Sequence, residues 1–284
     1  MLPVVSTLVT TPKCINRLNL VIKNINVSCA IEAAYAAGDA IMHVYNSADF
    51  GVELKSDESP LTIADTRAHR LIVDHLQETN IPVLSEEGDD IPYATRSKWT
   101  LFWMVDPLDG TKEFIKQNGE FTVNIALIQN GKPIFGVVYS PVNEKMYYGG
   151  KSIGKSYLQT ERKSATELNK ITPRSMQHLD DLKTVRIVTS RSHQTKKTLK
   201  FINQYQNTEL LAMGSSLKFI VLAEGEADVY PRYAPCMEWD TAAAHAILQG
   251  VGADIYQVDE YRNLTTRKLI YNKESLLNPD FISY

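Results

Sequence analysis

The chain has 284 residues, of which 44% are hydrophobic and 22% charged, and a formal net charge of −3. That is enough apolar content for a sizeable core in one or two domains, without the basic surplus that a nucleic-acid polymer would need. No run approaches the roughly 18 apolar residues of a membrane-spanning helix, and Cys14, Cys29 and Cys236, odd in number and without a Cys-x-x-Cys pair, support neither a disulfide framework nor zinc and fit a reducing cytoplasm.

Residues 1–26 read as an N-terminal extension. Met1 to Ile31 contains no acid, while Lys13, Arg17 and Lys23 are basic, a bias also found in targeting peptides. The apolar-Thr run Val4 to Thr11 is short and interrupted by Pro12, with no small-residue cleavage pattern, so a disordered extension or an upstream start codon is expected instead. Helices are predicted from Ser28 to Tyr45 and from Thr62 to Gln77. In the second of these, Asp65, Ala68, Ile72 and Leu76 follow one helical stripe, which turns Asp65 inward.

Ile81 to Leu84 reads as a short buried strand, followed by strands around Thr100 to Val105, Phe121 to Gln129 and Pro133 to Tyr139. Asn130-Gly131 between the last two is a hairpin signal. After a strand near Lys145 to Tyr148, a soft boundary near Leu182 separates residues 27–182 from residues 183–284. The second half then offers a strand Val185 to Thr189, a helix near Thr195 to Gln206 and a turn Gly214-Ser215-Ser216 into a helix carrying Phe219 to Ala223. An Ala-rich helix opens at Trp239-Asp240 and ends near Gly250 and Gly252. Strands followed by helices predict layered α/β packing, with the site at the seam of the halves.

Acids stand where an acid needs a reason. In Asp106-Pro107-Leu108-Asp109-Gly110-Thr111 two aspartates flank a Pro-Leu pair, and Pro107 fixes its own φ, so both carboxylates can be held near one point. Two carboxylates about 4 Å apart repel by roughly 4 kcal/mol at a protein-like dielectric, so such pairs persist by sharing protons or binding cations. All-oxygen ligands favour Mg²⁺ over zinc. Gly110 and Thr111 open a turn or helix whose free N–H groups suit phosphate. Glu86-Glu87 closes the Ile81 strand, and Asp240 sits in the first turn of the Ala-rich helix. Singly, these stretches read as an Asp-capped turn, solvated acids or an N-cap, and the inward Asp65 as a dipole-stabilising residue; the four together point to a metal and phosphate site. Beyond them, Ser215 and Lys218 at a helix start could meet a second phosphate or ribose, and Arg232 could add a bidentate donor.

Gly149-Gly150-Lys151-Ser152-Ile153-Gly154-Lys155-Ser156 satisfies the nucleotide-binding pattern G-x-x-x-x-G-K-[ST] letter for letter. The pattern requires a helix opening at Gly-Lys-Ser, whereas Tyr157 to Thr160 reads as extended, so a P-loop is not expected here.

With these motifs in place the chain resembles the magnesium-dependent, lithium-sensitive phosphatase superfamily of inositol monophosphatase, and within it the bacterial 3'(2'),5'-bisphosphate nucleotidases. The superfamily motifs are Glu86-Glu87, Asp106 to Thr111 and Trp239-Asp240-Thr241-Ala242. The nucleotidase likeness rests on Lys112 to Lys116, Asn118 to Ile128, Ser190-Arg191-Ser192-His193 and Gly214 to Phe219. It covers the chain from about Ala30 onward. One departure is Ala244, where relatives usually carry Gly, which adds a methyl at a close helix contact without removing a ligand.

The resemblance implies an α/β (α+β) fold, the layered αβαβα sandwich of the inositol monophosphatase and fructose-1,6-bisphosphatase type. The first half would bind metal, and the second would supply nucleotide contacts and the last metal ligand. Two or three Mg²⁺ ions are implied, one on Glu86, Asp106 and the Leu108 carbonyl, another bridged by Asp106, Asp109 and Asp240, and a weaker third on Glu86. Thr111 with Asp65 or Glu86 would position and deprotonate the attacking water. Gly110 and Thr111 would hold phosphate, and His193, Ser215, Lys218 and Arg232 the nucleotide. The implied reaction removes the 3'-phosphate of adenosine 3',5'-bisphosphate, a by-product of sulfate activation, giving AMP and phosphate. The only partner implied is this small bisphosphonucleotide, and the place implied is the cytoplasm, with peripheral association at the inner membrane's cytoplasmic face. Inositol monophosphatase or sugar bisphosphatase activity is the alternative, and a non-catalytic nucleotide sensor the alternative of another class.

Overall fold

A computed structural model describes residues 21–22, 25–47, 51–54, 60–171, 176–191, 195–259 and 264–284. Helices Ser28–Tyr45 and Ile63–Gln77 coincide with the predicted spans. The first is rich in alanine, and Ala30, Ala33, Ala34 and Ala37 are all fully buried, so small side chains let it lie close to its neighbours. The second starts with a capping box: Asp65 accepts from the Thr62 backbone N–H at 2.7 Å and from the Thr62 hydroxyl at 2.5 Å. Its stripe Asp65, Ala68, Ile72 and Leu76 is buried as the spacing predicted.

These helices cover one face of a seven-stranded sheet. From one edge to the other its strands are Ala165–Glu167, Lys155–Thr160, Lys145–Gly150, Lys132–Ser140, Thr122–Gln129, Leu101–Asp109 and Val83–Ser85. All neighbours run antiparallel except the last pair. Asn130 and Gly131, with φ of 49° and 70°, both take the left-handed backbone that a tight hairpin requires, so the predicted turn is present. The P-loop look-alike is a turn between Lys145–Gly150 and Lys155–Thr160, which pair antiparallel; no helix opens at its Lys-Ser.

Helices Leu217–Ala223 and Trp239–Val251 pack on the sheet's other face in a second core, where Phe102, Met104 and Val138 meet Phe219, Ala243 and Ile247. Outside them lie the parallel pair Val185–Ser190 and Thr208–Met213 and a four-stranded sheet of Tyr230–Arg232, Phe281–Ser283, Ile255–Val258 and Leu264–Lys268. A third core, with Leu179, Phe201 and Ile202 from two short helices, closes the outer side. The order helix, sheet, helix, sheet, helix is the expected sandwich. Its second core draws on residues from both sides of Leu182. The helix predicted over Thr195 to Gln206 is shorter, Lys196–Ile202, because its backbone turns at Asn203. Of the 1–26 extension, Val21–Ile22 pairs with Ile25–Asn26, and residues 1–20, 23 and 24 lie outside the described residues.

The Trp239–Val251 helix fits the sheet closely at Gly136, where a Cβ would stand 2.1 Å from the Ala243 carbonyl oxygen. Neither backbone can yield cheaply. Gly136→Ala is therefore expected to cost about 2–3 kcal/mol of stability, an overpacking penalty, measured from urea unfolding midpoints; a loss below about 0.5 kcal/mol, the range of ordinary surface changes, would show that the helix slides away freely.

Candidate active site

Strand pairing assembles the acids. In the parallel pair, Ser85 lies opposite Val105, so the next residues in line, Glu86 and Asp106, lie side by side. The Glu86 backbone N–H donates to the Val105 carbonyl at 3.0 Å and secures that alignment. On the other side of the Leu101–Asp109 strand, Asp106 pairs with Asn124 but Asp109 with Thr122, three steps against two. The extra residue is a bulge, seated where Pro107 has no N–H to offer the ladder. A regular strand would send positions three apart to opposite faces, and the bulge corrects that phase. The strand thus runs through both aspartates, beyond the Val105 end that the sequence suggested. Asp240 arrives from the second half on the first turn of its helix, where it accepts from the Met237 N–H at 2.8 Å.

Glu86, Asp106 and Asp240 offer carboxylate oxygens that all lie within 4.8 Å of one another. Such crowding has an electrostatic cost. Burial, then the charges of Glu86, Asp109 and Asp240, hold the Asp106 carboxyl well above the usual carboxylate range. Burial, then Asp109 and Glu86, push Asp240 up to about 7. A hard cation relieves both effects, and the donor set, all oxygen, suits one. The Leu108 N–H donates to Asp106 at 3.1 Å, and the Leu108 carbonyl lies 3.3 Å from the Thr111 hydroxyl.

Thr111 Oγ1 also stands 3.2 Å from Asp65 Oδ1. Asp65 therefore has two tasks, starting its helix through one oxygen and meeting Thr111 through the other. Asp65→Ala is expected to lose about 1 kcal/mol of stability through the cap and about 10²-fold or more in kcat through the lost Thr111 contact. Thr62→Val is the control, since it weakens the cap without touching Thr111. Equal kcat losses in the two variants would reduce Asp65 to a capping residue.

Asp109 is oriented by a network that the sequence reading did not single out. Its Oδ2 accepts from the hydroxyls of Ser215 at 2.7 Å and Ser216 at 2.9 Å, and lies 3.4 Å from the Asn124 amide. Thr122 and Asn124 in turn bond to Ser215 and Ser216. The available signal was polar Thr122 and Asn124 within an otherwise apolar buried strand. Outside this ring, Arg191 grips the Glu120 carboxylate with two nitrogens, at 2.9 and 2.6 Å, and Glu120 accepts from the Gly214 N–H at 2.8 Å. Ser215, at a φ of 50°, is held in the turn so formed.

A cavity of about 210 Å³ opens over these groups, lined by the acids Glu86, Asp109 and Asp240 and by the cations Lys218 and Arg232. Gly110, Thr111 and Ser215 also line it, with Lys112, Glu113 and Ser190, which the sequence reading did not assign. Lys218 is buried, its Nζ donating to the Ser215 carbonyl at 2.5 Å. Burial lowers its pKa, an effect that the Asp109 charge opposes. The Arg232 guanidinium donates to the carbonyls of Ala234 and Pro235, which hold it at the rim. Of the expected nucleotide contacts, Ser215, Lys218 and Arg232 thus come together, and His193 lies outside the described residues.

A five-layer α/β sandwich with clustered carboxylates and two cationic side chains lining one small cavity defines a class of protein able to bring cations and a phosphorylated ligand together. The chain belongs to the inositol monophosphatase family, whose model matches residues 26–283. That family is metal-dependent. Among similar proteins is the 3'(2'),5'-bisphosphate nucleotidase CysQ of Salmonella typhimurium, 43% identical over 254 residues that cover 88% of this chain and 96% of the relative. The CysQ nucleotidase of Escherichia coli strain K12 is 42% identical with the same coverage. The crystal structure of CysQ from Bacteroides thetaiotaomicron, a bacterial member of the same family, is 44% identical with a TM-score of 0.76, covering 90% of this chain and 95% of that one.

Proposed function

We propose that the chain is a 3'(2'),5'-bisphosphate nucleotidase that hydrolyses the 3'-phosphate of adenosine 3',5'-bisphosphate to AMP and phosphate. One observation carries the reading: a single cavity is lined both by the acids Glu86, Asp109 and Asp240 and by the cations Lys218 and Arg232. A substrate with two phosphates gives each set a purpose. The nucleotidase relatives, similar over nearly their whole length, support the same choice.

Two or three Mg²⁺ ions would be held by Glu86, Asp106, Asp109, Asp240 and the Leu108 carbonyl. When bound they would lower the pKa of the attacking water and neutralise charge on the leaving oxygen. The chain's own residues do the rest. Thr111, 3.2 Å from Asp65, takes the water's proton and passes it to the Asp65 carboxylate as the water oxygen forms its bond to phosphorus. The bond from phosphorus to the ribose 3'-oxygen breaks in line, and that oxygen departs as an alkoxide that takes its proton from solvent water. Gly110 and Thr111 hold the reacting phosphate, while Lys218 and Arg232 hold the 5'-phosphate by charge-assisted hydrogen bonds. Ser215 and Ser216 fix the orientation of Asp109 through its Oδ2. His193, outside the described residues, is assigned to the nucleotide.

Among the described residues no helix is long and apolar enough to cross a membrane, and a cytoplasmic place is part of this proposal. The deciding assay is phosphate release, with and without Mg²⁺, from adenosine 3',5'-bisphosphate, inositol 1-phosphate and fructose 1,6-bisphosphate at equal concentration. Mg²⁺-dependent preference for the nucleotide is expected. Preference for the inositol or sugar substrate would keep the chemistry and replace the substrate, and no release from any of them would favour a nucleotide sensor.

A further inference from the structure

A second cavity, of about 650 Å³, lies at the far end of the same sheet and helix. Gln129, on its wall, is five residues along the strand from Asn124, or about 17 Å. Gln249 is nine residues along the helix from Asp240, or about 14 Å. The cavity shares no residue with the first one.

Its charge is one-sided. Lys132, Lys151, Arg267 and Lys268 line it, and no aspartate or glutamate does. Of these four, only Lys268 has a carboxylate partner among the described residues, Asp254 at 2.5 Å, while Lys132, Lys151 and Arg267 have none there. Lys151 comes from the turn that imitates a P-loop. Three exposed cations round one concavity repel one another, and an anion there removes that repulsion. The floor is apolar, with Pro133, Ile134 and Leu269, and Ile270 stands half-exposed at the edge. Side-chain amides of Gln129, Gln249 and Gln257 complete the wall. A bare inorganic anion makes no use of the apolar floor, and a neutral apolar ligand would bury the cations without compensation. A phosphate joined to a flat, hydrogen-bonding body uses all three surfaces, and the volume falls in the range of small-molecule sites.

We propose that this cavity is a second binding site for a mononucleotide-sized organic phosphate, separate from the site of hydrolysis. Equilibrium dialysis of AMP against the metal-free full chain tests it, because AMP is also the proposed product and should occupy both sites. Two equivalents are expected. Lys218→Met should remove one and leave the other. In Lys132→Glu with Arg267→Glu, both on exposed side chains, the remaining equivalent should instead bind through Lys218, with cavity affinity lowered at least about tenfold and kcat and KM for hydrolysis unchanged. Ile270→Asp, on the apolar edge, should weaken the same equivalent. A single equivalent that disappears with Lys218→Met would overturn the proposal, as would AMP binding indifferent to both charge reversals. Inorganic phosphate matching AMP at this site would deny the flat body, and capture of anionic phospholipid vesicles with no AMP bound would assign the cations to a surface instead.

Discussion

Asp106→Asn is expected to abolish phosphate release, by about 10³-fold or more if it forfeits several kcal/mol of cation-derived stabilisation, and at the same time to raise the stability of the metal-free protein. The two effects have one cause. Asp106 is buried against Glu86, Asp109 and Asp240, so its negative charge costs free energy unless a cation is present. An amide removes that cost together with the ligand. In EDTA the variant should melt a few degrees above the wild type, since each kcal/mol is about 2–4 °C in a chain approaching this size. Added Mg²⁺ should then raise the wild-type midpoint and leave the variant's nearly unmoved.

The same crowding sets a pH dependence. Asp240 is held at about 7 in the folded chain, against 3.8 for the free side chain. Between these values the native state binds the proton and the unfolded state does not, so metal-free stability falls as pH rises toward and through 7. Saturating Mg²⁺ should flatten that slope. Near-normal turnover in Asp106→Asn, or a variant midpoint in EDTA below that of the wild type, would remove Asp106 from the cation site.

Lys218→Met is the second large expectation. Methionine keeps much of the buried volume and discards the charge. A charge-assisted hydrogen bond contributes about 1.5–3 kcal/mol, so KM for adenosine 3',5'-bisphosphate should rise about 10–100-fold. KM for a simple phosphate monoester, with no second phosphate to place opposite Lys218, should change little. Parallel initial-rate measurements on the two substrates settle it, and equal increases in both would make Lys218 a general electrostatic contributor rather than the partner of a second phosphate.

The elements built on strong local patterns stand where the sequence predicts them. Helices Ser28–Tyr45 and Ile63–Gln77 stand on their predicted spans, the second with the inward stripe read from its periodicity, and the hairpin at Asn130-Gly131 follows from two residues that tolerate positive φ. The four acidic stretches were legible for a similar reason, since repelling or inward-turned carboxylates are conspicuous against an apolar background. His193, also read from sequence, lies outside the described residues.

Local pattern along the chain thus specifies the set of elements, the acids at their ends and the membership implied by the motifs. Tertiary structure alone decided how those acids meet. The bulge that brings Asp109 into phase with Asp106 depends on pairing with a strand more than ten residues away, and the place of Glu86 depends on a parallel register with Val105. It also decided that Ser215 and Ser216 serve Asp109, that Lys218 is buried, and that Lys151 of an accidental motif faces a second cavity. Periodicity reports which face of an element is turned inward. Partners distant along the chain are chosen by packing and register, which no local pattern encodes.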